Sequence, residues 1–276
     1  MIKDKLNFKF NLADYDDEKD SRKRIDTLFK QFNNNLISLG IDYANYMSGT
    51  LVNDRLYQIR NSILTRCHAA LFHNDLLSDL NVSGRKRAIP PNILHVDGMR
   101  LVQRQNFLFD SIIFHLVSSM DYFSCIIKIN TVGNISNWKA TWTKLKRKLQ
   151  SDPRFSKEAL VLNYIEVDNL LLGKLNEYRA DLIHYSKDGS QHSTTLYTGL
   201  EMVKIEASVP WNFYRTFKKL LILENSDSLN LNSACFWIIE KVLESLNFLT
   251  LELRIYLKDK RVRPGGTEVI RTLDEK

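Results

Sequence analysis

Arg179 and His184 lie five residues apart, towards the C-terminal end of a long predicted helix. Histidine titrates near neutral pH, so its ring can take up and release protons during a reaction. Arginine keeps its charge at every physiological pH, and its planar fork of donors matches the oxygens of an anion. The pair therefore has the residue types needed for proton transfer on an anionic substrate.

Arg179 falls inside the apolar stripe of its helix, which runs from Leu171 to Leu182. An arginine does not normally point towards a core face unless a carboxylate or a bound anion meets it there. Asp110 and Asp121 are candidate carboxylates, because they lie about 20° apart on a predicted buried helix and need partners. The sequence leaves both readings of Arg179 open: a structural ion pair and an anion-binding group.

His184 lies about 140° around a straight helix from Arg179. The two side chains can therefore serve one ligand only if the helix ends or bulges, or if a second copy of the helix approaches. A turn signal begins at Ser186, which predicts that His184 occupies the last helical turn. The dipole of the helix favours a protonated ring at that position.

Scarce glycine and proline, 10 and 5 in 276 residues, together with three-to-four-residue apolar spacing, predict an all-α fold. It is expected to be a multi-helix bundle with long central helices and a small β-hairpin insertion at about 192–208. The helix at Gly98–Asn130 is apolar nearly all round and should lie at the centre. The other predicted helices are Ser21–Met47 with Ser21 as the cap, Asn53–Leu80, Trp138–Gln150, Ser151–Tyr185 with Ser151 as the cap, Trp211–Leu223 and Leu229–Leu257.

Three regions are predicted along the chain. Residues 1–96 form an N-terminal helical region, which either completes the bundle or stands apart from it. Residues 97–260 form the bundle that carries the arginine and the histidine, and residues 261–276 form a flexible tail. No internal repeat, glycine-rich phosphate loop or zinc-protease motif occurs, so the mechanisms that those motifs represent have no support.

The formal net charge is +7, and part of it is concentrated in the predicted helix at 138–150. Lys144, Lys146, Arg147 and Lys148 are candidate substrate-binding residues for an anionic partner such as RNA. Charge alone favours an ordinary solvated surface over a nucleic-acid site, so this assignment depends on the rest of the argument.

The three cysteines, Cys67, Cys125 and Cys235, are far apart and odd in number. They fit neither a metal-ligand spacing nor a disulfide framework, which indicates a reducing compartment. The first residues lack the apolar core of a signal peptide, and the apolar stretch at Phe107–Met120 is short for a bilayer. We therefore expect a cytoplasmic protein with no metal, no cofactor and no membrane partner.

An arginine followed after four residues by a histidine, at the end of a bundle helix, resembles the signature of the HEPN family. The resemblance covers about Asp97 to Leu257, but only Arg179 and His184 are specific to it. It implies a homodimer with the motif at the dimer groove, and a metal-independent endoribonuclease of a toxin or antiviral defence system. Ala180 departs from the polar residue that often follows the arginine in active members, which bears on catalysis more than on fold.

Two other functions remain open at this stage. The chain would be a non-catalytic binding or assembly module if Arg179 is a structural ion pair. It would be a nucleic-acid binder without turnover if only the basic helix contacts the ligand. The surroundings of the Arg179 guanidinium distinguish these possibilities.

Overall fold

Long helices packed around one continuous core make up most of the chain, and a computed structural model describes residues 6–46, 55–86, 94–132, 139–184, 194–198, 203–222 and 229–262. Apolar side chains from the first helix to the last belong to this core. The helices are α1 (Glu18–Tyr46), α2 (Arg55–Lys86), α3 (Leu94–Val132), α4 (Trp142–Ser151), α5 (Ala159–Val167), α6 (Gly173–His184), α7 (Trp211–Phe217) and α8 (Leu231–Val262). The predicted all-α bundle is confirmed.

The strands are short. β2 (Thr194–Thr198) and β3 (Val203–Ala207) pair antiparallel, with Thr194 opposite Ala207, which is the predicted hairpin. The other pair consists of β1 (Phe10–Asn11) and β4 (Leu221–Ile222), which run parallel. It joins the start of the described chain to the segment after α7.

α3 is the central helix that its apolar sequence predicted. Phe109, Ile112 and Leu116 are fully buried within it. The helix begins at Leu94 and is longer than its most apolar stretch, and Arg100–Thr131 is long and apolar enough to cross a membrane. However, 72% of the most apolar window is buried inside the bundle. This degree of burial is typical of the core helix of a helical bundle.

Both predicted serine caps were wrong. α1 begins before Ser21, and the Asp17 carboxylate accepts hydrogen bonds from the backbone N–H groups of Lys19 and Asp20. Ser151 is the last residue of α4, and turns separate it from α5. Asp and Ser are nearly equivalent caps, so composition alone could not choose between neighbouring candidates.

The helix predicted at Trp211–Leu223 is also shorter than expected. α7 ends at Phe217, and the next residues turn into β4. The tertiary partner of β4 is the distant strand β1, and no local pattern reports such a pairing. The local apolar spacing therefore favoured a longer helix.

A π-helical segment, Asp168–Leu172, joins α5 to α6. Gly173 follows it, and a Cβ at that position would lie 2.8 Å from the Asp168 carbonyl oxygen and 2.9 Å from a carboxylate oxygen of the same residue. Only glycine leaves room for the Asp168 side chain, which bends back over the helix. The segment changes the rotation of α6 relative to α5, and so sets the direction in which Arg179 points.

Candidate functional site

Arg179 lies half-buried on α6, against the central helix. Its guanidinium carbon is 5.6 Å from the centre of the Phe114 ring, which is within cation–π range. None of the ion pairs among the described residues includes Arg179. Its Nε is buried and has no hydrogen-bond partner. The described chain therefore provides no hydrogen-bond acceptor for the Nε–H of this guanidinium.

Asp121, one of the two predicted carboxylate partners, faces the start of α4. Its Oδ1 accepts a hydrogen bond of 2.8 Å from the Trp142 backbone N–H. Burial raises the pKa of Asp121, while this hydrogen bond and the charge of Arg179 act in the opposite direction. Asp121 thus caps the N-terminus of α4 from α3, a neighbouring helix. The charge of Arg179 acts to lower the pKa of the Asp121 carboxyl group without a direct ion pair. Thr141, the N-cap residue, makes no capping hydrogen bond with its own side chain.

Asp110, the other predicted partner, forms no ion pair with any residue that the structure describes. Its Oδ1 is buried without a hydrogen bond, and burial raises the pKa of the carboxyl group to about 6. The hydroxyl of Tyr178, close enough to be affected by the charge of Asp110, is also buried and unpaired. The interface between α3 and α6 therefore has polar atoms that the described protein leaves unsatisfied.

Replacing Asp110 with asparagine should stabilise the protein at pH 8 by about 1–2 kcal/mol, after allowance for solvent screening. The raised pKa means that the folded state holds the proton more tightly than the unfolded state, so stability is lost as the pH rises from about 4 to about 6. Asparagine has no such titration. Urea unfolding of wild type and variant at pH 4 and pH 8 measures the difference, and an equal effect at both pH values would contradict it.

His184 is the last residue of α6, in agreement with the predicted helix end. Its side chain lies outside the described residues. The backbone of α6 is helical from Gly173 to His184, and two positions five residues apart on a helix are separated by about 140° of rotation. The helical backbone alone therefore does not bring these two positions to one face of α6.

α4 presents its basic residues to solvent and its apolar residues to the core. Trp142, Leu145 and Leu149 are buried at spacings of three and four residues. Of the four predicted substrate-binding residues, Lys144, Arg147 and Lys148 are exposed. The fourth differs from them.

Lys146 is turned towards α5 and α6. Its ammonium forms an ion pair with Asp168 and a hydrogen bond of 3.1 Å to Asn169 Oδ1. Asp168 also accepts a 2.7 Å hydrogen bond from the Trp142 indole. The charge of Lys146 is therefore already compensated, and we assign it to the attachment of α4.

A cleft of about 450 Å³, which the sequence did not reveal, opens between α3 and the start of α4. We call it the α3–α4 cleft. One of its lining residues is Asp121, whose pKa is raised by burial and lowered in part by the charge of Arg179. It is lined by Asp121, Tyr122, Cys125, Lys139, Ala140, Thr141 and Lys144.

Cys125 is not a nucleophile in this cleft. Its sulfur accepts a 3.3 Å hydrogen bond from the Ala140 backbone N–H and lies 3.4 Å from the Ala140 carbonyl oxygen. Burial raises the pKa of the thiol, which keeps it protonated near neutral pH. All three cysteines are buried and free.

Comparison with known proteins gave no match to a family model, to a curated protein or to a solved structure. Within the described residues, no group of three or more histidines, cysteines and carboxylates is arranged to hold a metal ion. Function is therefore inferred from the geometry around Arg179, α4 and the α3–α4 cleft.

Proposed function

We propose that this protein is a HEPN-like, metal-independent endoribonuclease that acts as a homodimer in the cytoplasm, in a toxin or defence system. The single observation that supports the proposal most is the state of Arg179. A half-buried guanidinium lies on an aromatic ring, has a buried Nε without a partner, and takes part in no ion pair among the described residues. An RNA phosphate would supply the missing acceptors.

The chemistry is transfer of a phosphoryl group within the RNA chain. His184 takes the proton of a ribose 2′-hydroxyl, whose oxygen then attacks the adjacent phosphorus. The bond to the 5′-oxygen breaks, and a protonated histidine donates a proton to that leaving oxygen, so the products are a 2′,3′-cyclic phosphate and a 5′-hydroxyl. Arg179 stabilises the additional negative charge on the phosphorane.

A second copy of the chain accounts for the angle between the two residues. In a two-fold dimer, the histidines of both copies converge, so one acts as the base and the other as the acid. Ile183, one turn beyond Arg179 on the same face of α6, is 45% exposed, and Phe107 on α3 is 68% exposed. Exposed apolar side chains on the helices that carry the site suit contact with a second copy.

The test measures cleavage of labelled RNA by the purified protein in excess chelator. His184→Ala should lower the rate by about 10²–10⁴-fold, because it removes the proton-transfer group. His68→Ala is the matched control, since His68 is exposed on α2, and it should cleave like wild type. The same cleavage rate in wild type and His184→Ala, with both proteins folded by circular dichroism, would reject the proposal.

A further inference from the structure

The α3–α4 cleft carries lysines on its rim. Lys139 and Lys144 line it, and both are exposed. Lys144 takes part in none of the ion pairs among the described residues. The cleft thus offers at least one ammonium group whose charge the described chain does not neutralise.

Two further lysines increase the positive potential behind this rim. Lys128 is buried, with 8% of the residue exposed. Its ammonium donates a 2.9 Å hydrogen bond to the Lys139 carbonyl, and this bond connects the rim of the cleft to α3. Burial and the nearby charge of Lys148 lower the pKa of Lys128. Cations held this close repel one another, and an anionic ligand would relieve the repulsion.

Asp121 gives the cleft a feature that a purely basic patch lacks. One oxygen accepts the Trp142 N–H, and the other makes no hydrogen bond within the described chain. A carboxylate oxygen at the base of a cationic cleft suits a ligand that has both a phosphate and a hydroxyl donor. Ribose provides that hydroxyl and deoxyribose does not.

We propose that the α3–α4 cleft binds one ribonucleotide of a single-stranded RNA, with its phosphate between Lys139 and Lys144 and its 2′-hydroxyl donating to Asp121. Tyr122 offers an aromatic face for the base. A volume of about 450 Å³ accommodates a nucleotide but not a duplex. The inference rests on the proposed function for RNA as the polymer, and it adds a second contact beside Arg179, whose charge acts on Asp121.

Binding is measured in the His184→Ala background, so that cleavage does not consume the probe. Fluorescence anisotropy with a labelled single-stranded RNA, and with DNA of the same sequence, gives Kd at several salt concentrations. Lys144→Glu should weaken RNA binding about tenfold and reduce the salt slope by about 1. Lys258→Glu, the same charge reversal at an exposed position on α8, should have a much smaller effect.

Two further variants test the assigned contacts. Tyr122→Ala should weaken binding of RNA and DNA alike, because stacking does not distinguish the sugars. Asp121→Asn keeps an oxygen for the Trp142 N–H but removes the charge, and it should reduce the preference for RNA over DNA. Equal affinity of the starting protein for RNA and DNA would overturn the assignment of Asp121.

The outcomes separate this inference from the proposed nuclease. If the wild-type protein cleaves no RNA but Lys144→Glu still loses binding, the cleft is supported and the nuclease is rejected. If wild type cleaves RNA and Lys144→Glu binds and cleaves RNA equally well, the binding role proposed for the cleft is overturned and the proposed nuclease activity is retained. The RNA-binding role of the cleft would also be overturned if the protein has no affinity for RNA but binds vesicles of phosphatidylcholine and phosphatidylserine, and if Lys144→Glu loses that vesicle binding.

Discussion

Replacing Asp168 with alanine should lower the free energy of unfolding by about 3–5 kcal/mol, which is the cost of breaking a buried charged pair. Asp168 is 6% exposed, pairs with the Lys146 ammonium and accepts the Trp142 indole N–H at 2.7 Å. Alanine leaves the buried Trp142 indole N–H without an acceptor and removes the carboxylate that compensates the Lys146 ammonium, which keeps only its hydrogen bond to Asn169 within the described chain. Because Lys146 and Trp142 both lie on α4, the substitution should weaken the attachment of α4 to the rest of the bundle.

Urea unfolding followed by tryptophan fluorescence measures this effect. Asp79→Ala serves as the control, because Asp79 is exposed on α2 and a surface substitution of this kind changes stability by about 0.5 kcal/mol or less. Asp168→Asn, which keeps an oxygen for the indole N–H, should fall between the two. A loss as small as that of the control in Asp168→Ala would show that α4 is held by its apolar face alone.

Replacing Arg179 with alanine should reduce RNA cleavage by about 10²–10³-fold, the scale expected when one preorganised group that stabilises transition-state charge is removed. The unfolding free energy should change by no more than about 1–2 kcal/mol, because the described contact to be lost is the cation–π contact with Phe114. A structural ion pair would give the opposite pattern, with a loss of about 3–5 kcal/mol and no activity to lose.

The matched control is Arg215→Ala, on the exposed side of α7. Arg179→Lys is the sharper variant, because lysine keeps the charge but loses the planar fork. It should recover less than a tenth of the wild-type rate if two oxygens of one phosphate are bound together. Full activity in Arg179→Lys would mean that charge alone is needed, and full activity in Arg179→Ala would exclude Arg179 from the site.

The parts of the fold that local patterns control were predictable. The apolar sequence of α3 predicted a central helix, and the strand-like runs on either side of Gly199 predicted the pairing of β2 with β3; both predictions are confirmed. β4 was missed because its partner is Phe10–Asn11, more than two hundred residues away. The π-helical segment was not predicted because a glycine within a helix is common and carries no specific signal. Only the structure shows that the Asp168 side chain occupies the space beside Gly173.

The candidate site shows a similar division. The position of Arg179 on a buried stripe followed from helical spacing, but its neighbour Phe114 and the absence of an ion pair among the described residues did not. Two carboxylates at equivalent positions on α3 have different surroundings, because α4 supplies an N–H to Asp121 and none of the described residues pairs with the buried oxygen of Asp110. The α3–α4 cleft is lined by residues from two helices and from the segment between them, so the periodicity of one helix could not predict it.

The pairing of α1 with α8 sets the order in which this chain can fold during synthesis. The two helices are joined along their length, by a hydrogen bond between Asn35 and Asn247 and an ion pair between Asp42 and Arg254. At about 5–20 residues per second, a ribosome needs roughly 10–40 s to make the chain that separates them. Throughout that delay the apolar side chains of α1 that pack against α8 lack this partner, although Phe29 of α1 can already contact His68 of α2. We therefore expect the nascent chain to depend on a chaperone until α8 emerges.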